Sequence, residues 1–382
     1  MRRYINLLVI LVAVVAAIPL FYTALAADKD PGLVLKKISG NEKEIRNVKI
    51  TALDNQEDNL LNRMFSITSS GSRYLGRESS FSLLDEDPDW YKQYVKQYPR
   101  FMRGKTNHGG FYEDRQMIAY ADIIPQPLHR FDKELYVEVL DKKTRKTETM
   151  KRKVQGFSKQ SFPSVWDVQK TGNELKVAAA TDGDIRVYHV SLPDKKITGG
   201  KWITQRGQTG RMAQYTQLAE TDVNKPNHIL AYQEEKVDDD GTVKEMTTFI
   251  YNYHTNETKK LRLPKDISLR DSDNWKFVYN GKTVYMAITK KNGGARLLTF
   301  DGNGKLKADK TFAIKYQSTG SPIPEIKNGR LYFLIPNDSR EKACLLYVFD
   351  ISSGKQLYSG KVVQKGKGVK ARYVEGVELT IK

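Results

Sequence analysis

Only one of the 382 residues is cysteine, Cys344, so the chain cannot close an intramolecular disulfide. It lies in the apolar stretch ACLLYVF and reads as a small buried hydrophobe. No cysteine ends the N-terminal apolar run, which leaves a lipid-modified N-terminus without support. Histidine is also scarce. His108, His129, His189, His228 and His254 are the full set, and no two have the spacing of a metal motif. There is no P-loop, no nucleophile elbow, no His-Glu-x-x-His and no Gly-x-Gly-x-x-Gly after a strand. Sialidase-type boxes are missing too. The sequence implies neither a cofactor nor a bound metal. The acidic stretch KVDDDGTVKE (236–245) lacks the alternation of a calcium loop and reads as a charged hairpin tip, while TDGD (Asp182, Asp184) and RDSDNW (Asp271, Asp273) each offer two acids at i, i+2 that could hold a hard cation but read more simply as turn residues.

What the chain does have begins at its N-terminus. Arg2 and Arg3 precede a stretch without charge from Tyr4 to Ala27, about the 20 residues that a bilayer-spanning helix needs. The stretch closes on Ala24-Leu25-Ala26, with Pro19 upstream, the pattern of a signal-peptidase site. Residues 1–27 therefore read either as one transmembrane helix or as a signal peptide. In both cases the leading basic residues place the remainder outside the cytoplasm. The expected location is the cell membrane with the main domain facing outward, or the medium if the segment is cleaved. Export without disulfides suits a bacterial cell envelope. Residues 28–45 read as a polar linker.

The formal net charge is +18, of which Arg2 and Arg3 supply two. A basic exterior attracts polyanions. In that compartment the matching partner is an envelope protein or an anionic envelope polymer, and no nucleic acid is expected. The plain alternative is solubility, since lysine is spread along the chain.

Beyond about residue 100 helical periodicity is nearly absent, and one pattern recurs. LYVFDISSGKQLYSG (346–360), LLTFDGNGKLKADK (297–310), FIYNYHTNETKKLRL (249–263) and VYHVSLPDKKITGG (187–200) each join two strands through a polar turn. With Asp85 and Asp141, the turn positions Ser191, His254, Asp301 and Asp350 lie 56, 50, 63, 47 and 49 residues apart. Each period holds about four strand signals. Asn-Gly pairs at 280–281 and 328–329 occupy the same place in the last two copies and mark tight hairpins. The first copy departs from the pattern. EDPDWYKQYVKQYPRF predicts a short helix near 87–99, opened by Asp87, Pro88 and Asp89, with Trp90, Tyr91, Tyr94 and Tyr98 on one side. That side either packs over a sheet edge or offers an aromatic docking surface.

Four antiparallel strands per period of this length describe the blade of a β-propeller. The blade endings of residues 46–382 resemble those of the large propeller group with quinoprotein-like and WD-like repeats, although no family-specific site motif accompanies them. The Trp-Asp of VWDVQ (165–169) falls in a first strand and not at the WD position. The expected fold is all-β, a propeller of about six four-stranded blades, with seven also open. The C-terminal strand VELTIK and the strand near residue 48 are expected to complete one blade from both ends.

Loops joining one blade to the next gather on one face of a propeller. Here they carry Arg206, Gln208, Arg211, Arg270, Gln317 and Ser318, with Trp275 nearby, while other turns carry mainly Lys, Asn, Gly and Asp. Guanidinium and amide groups converging there form a candidate anion- or sugar-binding mouth. Two functions remain open: a binding or accessory module, or a propeller-type hydrolase, lyase or quinoprotein with its site at that mouth.

Overall fold

The computed structural model describes residues 32–54, 62–78, 87–125, 133–157, 161–181, 183–204, 212–218, 227–238, 240–267, 274–280, 283–289, 294–314, 323–336, 344–364 and 375–381. The chain is nearly all β, with six antiparallel sheets and few helices. Strand β1 (Leu33–Gly40) is followed by β2 (Val48–Asp54), β3 (Asn62–Ile67) and β4 (Ser72–Glu78). The next sheet is β5 (Phe111–Glu113), β6 (Met117–Pro125), β7 (Lys133–Asp141) and β8 (Thr147–Lys153). Then come β9 (Ser164–Thr171), β10 (Glu174–Ala180), β11 (Ile185–Ser191) and β12 (Lys196–Thr204). The fourth is β13 (Met212–Gln217), β14 (Ile229–Val237), β15 (Val243–Asn252) and β16 (Glu257–Lys260). The fifth is β17 (Asn274–Asn280), β18 (Thr283–Thr289), β19 (Ala295–Asp301) and β20 (Leu306–Phe312). The last is β21 (Ile323–Lys327), β22 (Arg330–Ile335), β23 (Leu345–Asp350) and β24 (Gln356–Gln364), and β25 (Glu375–Ile381) ends the chain. Each sheet is a meander of four consecutive strands, save that β25 completes β2–β4 and β1 adds a fifth strand beside β24. Six such sheets fit a six-blade propeller.

The pairing of β2 with β25, Val48 opposite Ile381 through Leu53 opposite Glu375, joins the two ends as expected. The linker reading needs a correction. Leu33 and Leu35 are buried, and β1 pairs with β24 from Leu33–Gln364 to Gly40–Tyr358. An alternating apolar pair was enough to turn half of that polar stretch into a strand. Among the described residues no helix is long and apolar enough to cross a membrane, and the run from Tyr4 to Ala27 lies outside them.

The chain divides into two compact units: residues 1–84, 332–350 and 355–382 form one, and 85–331 with 351–354 form the other. In the second unit the period-two alternation of strands builds the core. Leu175, Val177 and Ala179 of β10 enter a cluster with Ala119, Leu135 and Val137 of the preceding sheet. Ala178 and Ala180, on the opposite face of the same strand, meet Tyr215, Leu230 and Tyr232 of the following one. Strand β14 repeats this, sending Leu230 and Tyr232 back and Ile229 and Ala231 forward to Phe277, Met286 and Leu298. Middle strands are thus buried on both faces and read as continuous apolar runs. Two fourth strands of this unit are open: β16 is exposed throughout and β8 at all but Met150.

The recurring turn links the third strand to the fourth. Arg145, Lys195, Asn256, Gly304 and Gly354 all have positive φ, between 51° and 75°. The residue four earlier, or three in the case of Asp301, holds the turn: Asp141 Oδ1 accepts from Thr144 N at 2.6 Å, and Asp301 Oδ1 from Asn303 N at 2.9 Å. In the fourth sheet this residue is Asn252, whose Oδ1 accepts from the N–H of His254 at 2.8 Å, so the repeat position is two residues before the expected His254. The first copy is also relocated. Its turn is Thr68–Gly71 between β3 and β4, with the Thr68 hydroxyl accepting from the Ser70 N–H at 3.3 Å, and Asp85 lies outside the described residues. Threonine does there what aspartate does elsewhere. Asn328 and Gly329 both have positive φ, 51° and 71°, as their hairpin requires.

Helices α1 (Asp89–Gln97) and α2 (Pro99–Met102) form the expected insertion. Pro88 occupies the N-cap and no side chain caps it; Asp87 instead accepts from or pairs with His108 Nε2 at 3.0 Å. Tyr91 and Tyr94 are buried with Phe101, Met102, Phe111 and Tyr120, so the aromatic side packs on the β5–β8 sheet. Lys105 and Glu138 form a buried ion pair beneath it at 2.9 Å.

Cys344 is 1% exposed, and burial pushes its thiol up to about 12. The expected result is that the native protein resists a thiol reagent at pH 8 and is labelled fully once unfolded. Rapid labelling of the native form would contradict the burial.

Candidate functional site

Charge is arranged by strand order. In the second unit each fourth strand is net positive: β8 has Lys151, Arg152 and Lys153 against Glu148, and β12 has Lys196 and Lys201 with no acid. Likewise β16 has Lys259 and Lys260 against Glu257, and β20 has Lys307 and Lys310 against Asp309. Lysine on open strand edges discourages edge-to-edge pairing, so the pattern has a structural use. It also concentrates cations where solvent reaches them.

Between β8 and β12 these cations line a groove of about 630 Å³, with Thr149, Lys151, Arg152, Lys195, Lys196 and Thr198 on its walls. The Arg152 guanidinium donates to the Ile197 carbonyl at 2.6 Å and fixes the two strands at this spacing. Lys195 pairs with Glu148 at 2.6 Å and Lys151 with Glu134 at 3.6 Å. Four cations against two carboxylates leave the groove net positive.

A second groove, about 800 Å³, opens between the β13–β16 and β17–β20 sheets. It sits at the end of the sheets where third strands turn into fourth. Its walls come from the two turns and from β18: Asn252 and His254 on one side, Asp301, Asn303 and Lys307 on the other, with Tyr285 and His228. Asn252 Nδ2 donates to the Gly302 carbonyl at 3.4 Å and ties the turns together. Burial opposes ionisation of Asp301. The Lys305 backbone N–H, the Lys307 ammonium and the Asn303 backbone N–H nonetheless hold its carboxyl below the usual carboxylate range. Burial pushes the Tyr285 phenol up. His228 and His254 lie side by side on this wall, rings 4.5 Å apart and tilted by 43°. Sequence reasoning missed the pair because 26 residues separate them and no local spacing announces it.

Of the expected mouth residues, Arg206, Gln208, Arg211, Arg270 and Gln317 lie outside the described residues. Trp275 is described. It is the second residue of β17 and packs against the cluster of Phe277, Met286 and Leu298, its ring 5.7 Å from that of Phe277 at 80°. The hairpin at 236–245 is a charged tip, as expected: Asp238 and Asp240 both accept from Thr242 N at 2.9 Å. Among the described residues no three His, Cys, Asp or Glu side chains gather as a metal site.

No protein-family profile matches the sequence, and no curated protein does. Solved structures with similar chain paths include a prolyl endopeptidase, 12% identical with a TM-score of 0.34 over 85% of this chain and 52% of that one. This chain thus spans about half the length of that enzyme. An apocarotenoid oxygenase from Synechocystis is 12% identical with a TM-score of 0.38 over 84% of this chain and 71% of its own. A luciferin-regenerating enzyme is 12% identical with a TM-score of 0.31 over 72% and 97%. Similarity at this level carries no information about activity.

Proposed function

We propose that this chain is an extracytoplasmic binding module for an anionic envelope polymer, built as a six-blade propeller. The apolar segment from Tyr4 to Ala27 carries it across the membrane, as an anchor or as a signal peptide. The observation that supports the reading best is the cationic groove between β8 and β12, backed by net positive charge on every fourth strand of its unit. A flexible polymer with regularly spaced phosphates or carboxylates suits cations displayed along strand edges, because each contact is exchangeable and the sum gives retention. The arginines of the inter-blade loops, Arg206, Arg211 and Arg270, are a second contact region in the same reading.

The test uses long-chain polyphosphate and purified envelope polymer as probes across a salt series. Lys151→Gln with Lys196→Gln should weaken retention at least about a hundredfold at 0.1 M salt, as loss of two charge-assisted contacts of roughly 1.5–3 kcal/mol each implies. The melting temperature should barely move, since exposed charges contribute roughly 0–1 kcal/mol to folding. Arg206→Ala with Arg211→Ala reports on the loops separately. Equal retention by wild type and both double variants at every salt concentration would overturn the proposal.

A further inference from the structure

We propose that His228 and His254 form a binding site for a divalent transition metal, of the Zn²⁺, Ni²⁺ or Cu²⁺ class, at the wall of the 800 Å³ groove. The site shares no residue with the cationic groove and does not depend on polymer binding.

The two imidazoles converge through nitrogen. His254 Nε2 and His228 Nδ1 face each other at 2.5 Å, one donating to the other. Two zinc–nitrogen bonds of about 2.0–2.1 Å, at angles between square and tetrahedral, hold their nitrogens about 2.9–3.4 Å apart. The rings therefore open by less than about 1 Å to admit an ion. The fold allows that movement on one side only. His228 directly precedes Ile229, which is locked in the inter-sheet cluster. His254 stands on the exposed turn between β15 and β16, so it is the ring that swings.

Donor chemistry sets the class of metal. Paired imidazoles suit Zn²⁺, Ni²⁺ and Cu²⁺, whereas Mg²⁺ and Ca²⁺ require oxygen ligands. The acid that lines the groove is already engaged: Asp301 holds its own turn through Oδ1 and pairs with Lys307 at 3.1 Å through Oδ2. Two protein ligands leave the remaining coordination positions facing the groove. Water fills them, or a small anion drawn by the ion and by Lys307. The ion is thus bound in an exchangeable way and presented to whatever enters the groove.

The experiment uses the full chain in detergent without an affinity tag, titrated with Zn²⁺ against a chromophoric chelator. Wild type should bind one equivalent through this pair. His254→Gln and His228→Gln should each weaken it at least tenfold, because loss of even an outer-shell partner commonly costs about 10–100-fold. His108→Gln, whose ring pairs with Asp87 elsewhere, should leave binding unchanged. With Cu²⁺, the electron paramagnetic spectrum should show two coupled imidazole nitrogens in wild type and one in His254→Gln. Unchanged affinity in His254→Gln, or a wild type that takes up no ion, overturns the site. If His228→Gln fails to fold, His254→Gln alone decides, since its side chain lies on an exposed turn.

Discussion

Glu138→Ala is expected to destabilise the fold by about 3–5 kcal/mol, because it strands a buried ammonium. The Lys105 and Glu138 side chains are 7% and 11% exposed. The Lys105 ammonium also donates to the Phe101 carbonyl and lies 4.4 Å from the Phe101 ring and 5.5 Å from that of Tyr120. These contacts locate the cation but do not neutralise it. The helical insertion rests on this pair, so unfolding should begin there: α1 and α2 would gain protease sensitivity before the sheets do. The diagnostic control is Lys105→Met with Glu138→Leu, which removes both charges and fills the space. It should recover most of the loss, as replaced buried pairs commonly do. A single variant as stable as wild type would show that water reaches the lysine and that the pair is not buried in solution.

The second large effect concerns Asp167, which is fully buried between the third and fourth sheets. Its Oδ2 accepts from the Tyr253 hydroxyl at 2.7 Å and its Oδ1 from Gln169 Nε2 at 2.8 Å. Gln169 in turn accepts from the Asn227 backbone N–H at 2.8 Å, so one carboxylate organises contacts from two sheets. Tyr253→Phe removes one donor without changing shape and should cost about 1.5–3 kcal/mol, the range for hydrogen bonds to a charged group. Asp167→Ala should cost more, since it leaves the donors of Tyr253 and Gln169 short of their acceptor and opens a void. Chemical denaturation of both variants gives the measurement. A Tyr253→Phe protein within a few tenths of wild type would mean that the hydroxyl contributes little to holding the sheets together.

Asp167 also marks where sequence reasoning stops. As half of a Trp-Asp dipeptide it was easy to set aside, because it falls in a first strand and not in a turn. Period and turn chemistry identify turns well: Asp141, Ser191, Asp301 and Asp350 all stand where third strands end. They miss cases where another residue does the same work, as Thr68 and Asn252 do. They are silent about contacts between sheets. The His228–His254 pair forms where the β14–β15 ladder brings the flanking residues together, the Lys105–Glu138 pair joins the helical insertion to β7, and the Asp167 hub exists only once two sheets stack. The charge pattern had an intermediate status. Lysine looked evenly spread along the chain, and only the strand order shows it collecting on fourth strands.

Strand β1 sets the length of a leash. Five residues, Asp28 to Gly32, separate it from the apolar run. Fully extended they span about 17 Å. In the anchored form proposed above, Leu33, the first residue of the β1–β24 ladder, is held no farther than that from the end of the run, about two screening lengths at physiological salt. Anionic lipid then becomes a standing competitor for nearby cations, at an effective concentration set by the leash and not by bulk amount. A cut after Gly32 severs a paired strand, so a protease that frees the domain intact cuts before it. In the anchored form proposed above, cleavage there would release the domain from the membrane surface.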